Sequence, residues 1–176
     1  MQILGLAKRV FHSPLLRDDM KKLCVKFKID YVVLMRAVPT RWNSVAMALK
    51  RALVLQPAID KLVTMDQHNT SRGPKLKKYQ LSKNEWDILK QLSPLLQRFL
   101  AATERISKSA VPLVHEVIPL IDSLTDTLAA AVIDEALHPV VRAAMARGVE
   151  VLNKYYSKTD DSIMYRLAMR TSFSCK

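Results

Sequence analysis

Cysteine, glycine and acidic side chains are all scarce in this 176-residue chain, and each scarcity excludes something. Two cysteines, Cys24 and Cys175, are too few for a disulfide framework or a four-cysteine zinc site. Three glycines leave no room for phosphate-cradling loops of the GxGxxG or GxxxxGK type. No apolar run approaches the roughly 20 residues that span a bilayer. The first 13 residues lack a basic segment followed by a long apolar stretch, so no secretory signal is expected. The sequon-like Asn69-Thr70-Ser71 then carries no weight. The expectation is an intracellular, reduced, soluble protein, nuclear or cytoplasmic, with no membrane partner.

Acidic residues are missing chiefly from one half. Residues 1–80 hold 16 basic and 5 acidic side chains, net +11, whereas residues 81–176 hold 12 and 11, net +1. Such lopsided charge suits a polyanion partner or a solubilising face, and composition does not choose between them. Apolar residues make up 49% of the chain, enough to build a core.

The dominant hydrophobic period is helical. A short first helix is expected over 3–12. Ser13-Pro14 then reads as an N-cap followed by proline at the first helical position. Leu16, Met20, Leu23, Cys24 and Phe27 form the next apolar stripe, with Cys24 as a buried free thiol. The apolar run 31–35 is compatible with a strand or an extended linker. Thr40 is a candidate cap for a helix carrying Trp42, Val45, Ala46, Leu49 and Leu53 on one face, and Pro57 opens or kinks a further helix to Met65. Residues 66–80 read as a basic loop with few large apolar side chains. Ser82-Lys83-Asn84-Glu85 is a capping box that opens the longest helix, running to about Ile106. Its expected stripe is Trp86, Leu89, Leu92, Leu96, Phe99, Thr103 and Ile106. Pro94 and, in the next helix from about Pro112, Pro119 are expected to kink their helices. That next helix carries Leu113, Val117, Leu120, Ile121, Leu124 and Leu128. His138-Pro139 starts another, through Val141, Ala144, Gly148, Leu152 and Tyr155. Asp160 or Asp161 is a candidate cap for a last short helix over 162–169, and 170–176 carry no pattern. The predicted class is all-α, a kinked bundle of six to eight amphipathic helices.

Catalytic patterns fail one by one. His115-Glu116 opens like a metallohydrolase motif, but Pro119 stands where its second histidine belongs. The four histidines are scattered, and none stands beside a cysteine at metal-ligand spacing. The carboxylate pairs Asp18-Asp19, Asp134-Glu135 and Asp160-Asp161 lie near expected helix starts, where capping explains them better than metal binding. No metal, cofactor or enzyme activity is expected. Two basic features remain. Arg72, Lys75, Lys77 and Lys78 cluster in the 66–80 loop, where they could contact nucleic acid or simply be solvated. In Thr40-Arg41-Trp42-Asn43-Ser44, Arg41 offers a fork for phosphate oxygens and Trp42 a face for an unstacked base. The plain alternative is that Thr40 caps, Trp42 packs in the core and Arg41 is solvated.

The same segment carries a family resemblance. Val38-Pro39-Thr40-Arg41-Trp42-Asn43-Ser44, followed by Met47, Leu49 and Arg51-Ala52-Leu53, resembles a signature of hAT-superfamily DNA transposases. Further pieces follow in the family's order. They are Leu81-Ser82 with Glu85-Trp86 and Leu89; Leu95, Phe99 and Ala102-Thr103; and Val111-Pro112 through Val117-Ile118-Pro119-Leu120-Ile121. Leu152-Asn153-Lys154-Tyr155-Tyr156 and Tyr165-Arg166-Leu167-Ala168-Met169 complete the set, so the likeness covers about residues 10–169.

The resemblance implies that residues 1–169 correspond to the all-helical insertion of an RNase H-like transposase, with 170–176 as a departing tail. Family members carry a BED-type zinc finger, two catalytic aspartates and a CxxH motif before this region. A catalytic glutamate and a dimerisation segment lie after it, and none of these has a counterpart here. After Met169 the chain departs from the family's pattern, which suggests truncation or a frame change. By resemblance, Trp42 would stack against a flipped base at the transposon end, with Arg41 in support. The expected function is that of a catalytically inactive hAT-like fragment keeping DNA binding through Arg41, Trp42, Arg72, Lys75, Lys77 and Lys78. The alternative is a helical interaction module that associates with itself or with an intact transposase.

Overall fold

The structure, a computed structural model, describes residues 2–36, 38, 42–70, 75–107, 114–160 and 163, with Trp42 and Asp160 described by their backbone alone. Among the described residues there are seven α-helices and no strand. They are α1 (Gln2–His12), α2 (Pro14–Lys26), α3 (Trp42–Val54), α4 (Gln56–Thr64), α5 (Lys83–Ile106), α6 (Val114–Ile133) and α7 (Pro139–Asp160). Two single 3-10 turns, Asp66–His68 and Leu76–Tyr79, lie between α4 and α5. The protein is all-α, as the helical period predicts. The chain divides into two compact units at Ser93/Pro94, inside α5.

The first unit packs α1 against α2 and α3, and α4 against α2 and α3. Ile3, Leu6, Ala7 and Val10 recur at i, i+3, i+4 and i+7, so one stripe of α1 is buried. Ser13 caps α2 through its Oγ, which accepts from the Leu16 amide at 3.4 Å, and Pro14 follows at the helix start. Leu16, Met20, Leu23 and Cys24 are buried as expected, but Phe27 is 40% exposed. The reason is the helix end. Phe27 is the C-cap, Lys28 takes the left-handed conformation at φ 55°, and the Ile29 and Lys28 amides donate back to the Cys24 and Val25 carbonyls. That paired closure is a Schellman motif with lysine where glycine is usual.

Residues 29–36 form neither helix nor strand, so the apolar run 31–35 is a linker. Leu34 is buried, and Arg51 Nη1 donates to the Val33 carbonyl at 3.0 Å, which ties the linker to α3. On α3 the buried face is Ala46, Ala48, Leu49 and Ala52, continued by Leu55; Val45 and Leu53 are only half-buried. Ala46 and Leu49 are thus buried as expected, and the small side chains Ala48 and Ala52 extend the face where Val45 and Leu53 were expected. Leu55 separates α3 from α4, and Pro57 sits in the first turn of α4.

The capping box forms in full. The Ser82 amide donates to Glu85 Oε2 at 2.7 Å, the Ser82 hydroxyl donates to the same oxygen at 2.9 Å, and the Glu85 amide donates to Ser82 Oγ at 3.3 Å. Trp86 and Leu89 are buried, and the Trp86 indole Nε1 donates to Asp60 Oδ1 at 2.9 Å. Beyond them the expected stripe breaks. Ser93, Leu100 and Ala102 are buried, Leu92, Leu96, Phe99 and Thr103 are half-buried, and Ile106 is exposed. A helix shared by two units does not serve one core along its length, so one stripe does not describe it.

In the second unit α6 and α7 pack together across a short turn. Leu128 and Ala131 on α6 and Val141 and Met145 on α7 are buried. Met145 takes the place expected for Ala144, and Tyr155 is exposed. A Cβ added at Gly148 would stand 2.8 Å from Leu128 Cδ1, so glycine permits the close approach there. His138 caps α7, its Nδ1 accepting from the Val140 amide at 3.2 Å. Pro94 and Pro119 both lie inside helices that run on past them. Each lacks the amide that would have bonded the carbonyl four residues back. The short helix expected over 162–169 lies, apart from 163, outside the described residues, as does the tail 170–176.

Candidate nucleic-acid interface

Six residues were expected to form the basic site. Arg41 and Arg72 lie outside the described residues, as does the side chain of Trp42, the first residue of α3. Thr40, the expected cap, also lies outside. Two partners of the motif are described. Ser44 Oγ accepts from the Val38 amide at 2.7 Å and donates to the Val38 carbonyl at 3.1 Å, closing the chain back onto the start of α3. Asn43 Oδ1 is buried with no hydrogen-bond partner among the described residues. Motif residues Ser44, Leu49 and Ala52 therefore have structural work on α3.

Lys75, Lys77 and Lys78 are brought together on and beside the turn Leu76–Tyr79, all three exposed. The segment read as a basic loop contains a 3-10 turn with one buried apolar side chain. Leu76 is fully buried, and the turn packs on both α1 and α4. Asn69 holds the segment from both sides. Its Nδ2 donates to the Val63 and Met65 carbonyls at 2.9 and 2.8 Å, and its Oδ1 accepts from the Lys77 amide at 2.7 Å. The lysines are thus presented from an anchored turn. None of the three makes an ion pair among the described residues; Lys78 lies over the Tyr79 ring, 5.0 Å from its centroid.

The buried polar centre of this unit is Asp19. It was expected to cap, but it lies in the second turn of α2 and is 7% exposed. Asp19 Oδ2 lies 2.9 Å from His68 Nε2 and accepts from Gln67 Nε2 at 2.8 Å. The 3.2 Å approach of Gln67 Nε2 to His68 Nε2 is then two donors sharing one acceptor, with the imidazole proton assigned to Nε2. Lys22 Nζ adds a 3.6 Å ion pair from the solvent side. The carboxylate, reached from 48 and 49 residues away, holds the Asp66–His68 turn onto α2.

Beside that centre lies a groove of about 600 Å3 that the motif search missed. Lys8, Arg9 and His12 of α1 line it, with Gln67, His68 and Tyr79 of the 66–79 segment and Ser13, Leu15 and Leu16 at the start of α2. The Tyr79 ring can reach it because residue 5 is glycine; a Cβ there would stand 2.7 Å from Tyr79 Cε1. A signal was present in the sequence. No acidic residue occurs before Asp18, and Lys8 and His12 stand one helical turn apart.

Elsewhere the chemistry is quiet. No group of three or more His, Cys, Asp or Glu side chains that could hold a metal is found among the described residues. Burial pushes the Cys24 thiol above its ordinary range. Glu116 is paired with Arg105 at 2.6 Å, and Asp134, next after the end of α6, accepts from the Ala136 amide within the turn and not from the first turn of α7. No described helix is long and apolar enough to cross a membrane. Compared with protein-family models, with curated proteins and with solved structures, the chain has no match in any of the three.

Proposed function

We propose that this chain is a hAT-like transposase helical region that binds DNA through the basic face of its first unit without cleaving it. The observation that carries the reading is the anchored lysine turn. Lys75, Lys77 and Lys78 project from a backbone held by buried Leu76 and by Asn69, in a half-chain of net +11. A backbone already held in place loses less freedom on meeting phosphates than a floppy one does, and binding releases condensed counterions. Arg41 and Trp42 enter this reading through the motif resemblance, as the pair that would meet a phosphate and a base.

The test is fluorescence anisotropy with hairpin and single-stranded DNA over a salt series. The expected result is a linear fall of log K with log salt. Lys75→Gln, Lys77→Gln and Lys78→Gln should each reduce the slope by about one. Trp42→Ala should weaken single-stranded or hairpin DNA by roughly 1–3 kcal/mol with the slope unchanged. Absence of salt-dependent binding at low ionic strength sinks the reading.

A second reading, a helical interaction module, has its own observation. On the second unit Ile133 is 78% exposed and Val140, Val151 and Tyr155 are each more than half exposed. Exposed apolar side chains on two packed helices suit a partner helix or a second copy.

A further inference from the structure

The groove beside α1 differs from the lysine turn in shape and chemistry. It is concave, and its volume of about 600 Å3 falls within the roughly 300–1,000 Å3 typical of small-molecule sites. Two cations line it: Lys8 and Arg9 are adjacent, exposed and outside every ion pair among the described residues, and the His12 imidazole stands one turn after Lys8. No carboxylate lines it. Asp19, which bonds the lining residues His68 and Gln67, is itself nine-tenths buried. The remaining lining is of another kind, an aromatic ring from Tyr79, the apolar Leu15 and Leu16, and the amide of Gln67.

This pairing of a cationic rim with an aromatic and apolar wall is two-part recognition. The geometry points to a free nucleoside monophosphate as the occupant, its phosphate on Lys8, Arg9 and His12 and its base against Tyr79 and the leucines. A phosphate monoester meets lysine as a point charge and arginine as a fork, and these charge-assisted bonds are the strong term. The base has apolar surface for the leucines and for the part of Tyr79 that lines the groove, and polar edges for Gln67. The groove adjoins the surface of the DNA reading, since Lys78 lies over the Tyr79 ring, but Lys8 and Arg9, which would hold the phosphate, are not among the side chains that reading names.

Isothermal titration of the full chain with AMP, adenosine and inorganic phosphate tests it. AMP is expected to bind at least about tenfold more tightly than either fragment alone. The double variant Lys8→Gln/Arg9→Gln, both positions exposed, should weaken AMP about tenfold or more while the circular dichroism is unchanged. Lys50→Gln/Lys61→Gln, which removes the same charge from exposed positions on α3 and α4, should leave AMP binding as it was. Equal losses in the two double variants would show a general charge effect and overturn the site. Inorganic phosphate binding as tightly as AMP would overturn the nucleotide assignment. No AMP binding at millimolar concentration, with salt-dependent DNA binding intact, overturns the groove alone; loss of DNA binding with AMP binding intact overturns the DNA reading alone.

Discussion

Among the described non-glycine residues, Lys28 alone has a positive φ. Its φ of 55° closes α2, and a Cβ in that region is disfavoured by steric contact with the backbone. Lysine is tolerated because the Schellman bonds from Lys28 and Ile29 return to Val25 and Cys24. Lys28→Gly should therefore raise the unfolding free energy by about 0.5–1 kcal/mol, strain relief outweighing the added freedom of the unfolded chain. Urea denaturation should show a higher midpoint with an unchanged slope. The neighbouring lesson concerns Asp19 and His68. Nothing in their local sequence marks them as partners, since 49 residues separate them; burial of both makes the pairing necessary.

Among the elements, the start of α5 was the most legible from its residues. It is written locally, because Ser82 and Glu85 satisfy each other's backbone within three residues. The bonds from Ser82 to the Glu85 carboxylate hold its pKa below the usual carboxylate range. The unfolded chain therefore takes up that proton at higher pH than the folded one. The box's contribution is complete above the unfolded value of about 4.3 and is lost as pH falls through the lowered folded value. Thermal melts of the wild type and Glu85→Gln should differ at pH 7, with the wild type higher. The gap should shrink as pH falls below about 4. The buried face of the same helix was not legible, because its two halves belong to different units. On α3 the expected Ala46 and Leu49 are buried, while Ala48 and Ala52 join the core face in place of Val45 and Leu53.

For the whole molecule, the uneven distribution of charge and apolar surface makes a prediction about association. If the exposed Val140, Val151 and Tyr155 meet a second copy, light scattering after size exclusion should show a mass that rises with concentration. Val151→Glu/Tyr155→Glu should return it to the monomer value near 20 kDa. A monomer at every concentration removes that reading and leaves DNA binding untouched.

What the sequence determined by itself was local. Helix class, the caps at Ser13 and Ser82, the buried thiol at Cys24 and the basic excess of the first 80 residues all follow from period, spacing and count. These depend on neighbours within one or two turns, which a linear string displays. The tertiary structure decided what depended on distant segments. It seated Leu76 under three lysines, turned Asp19 from a cap into a buried acceptor and left Tyr155 uncovered. It also set Lys8, Arg9 and His12 beside Tyr79 in one groove. Contacts between residues about 50 and 70 positions apart arise from packing the whole apolar set at once, and no local pattern encodes that result.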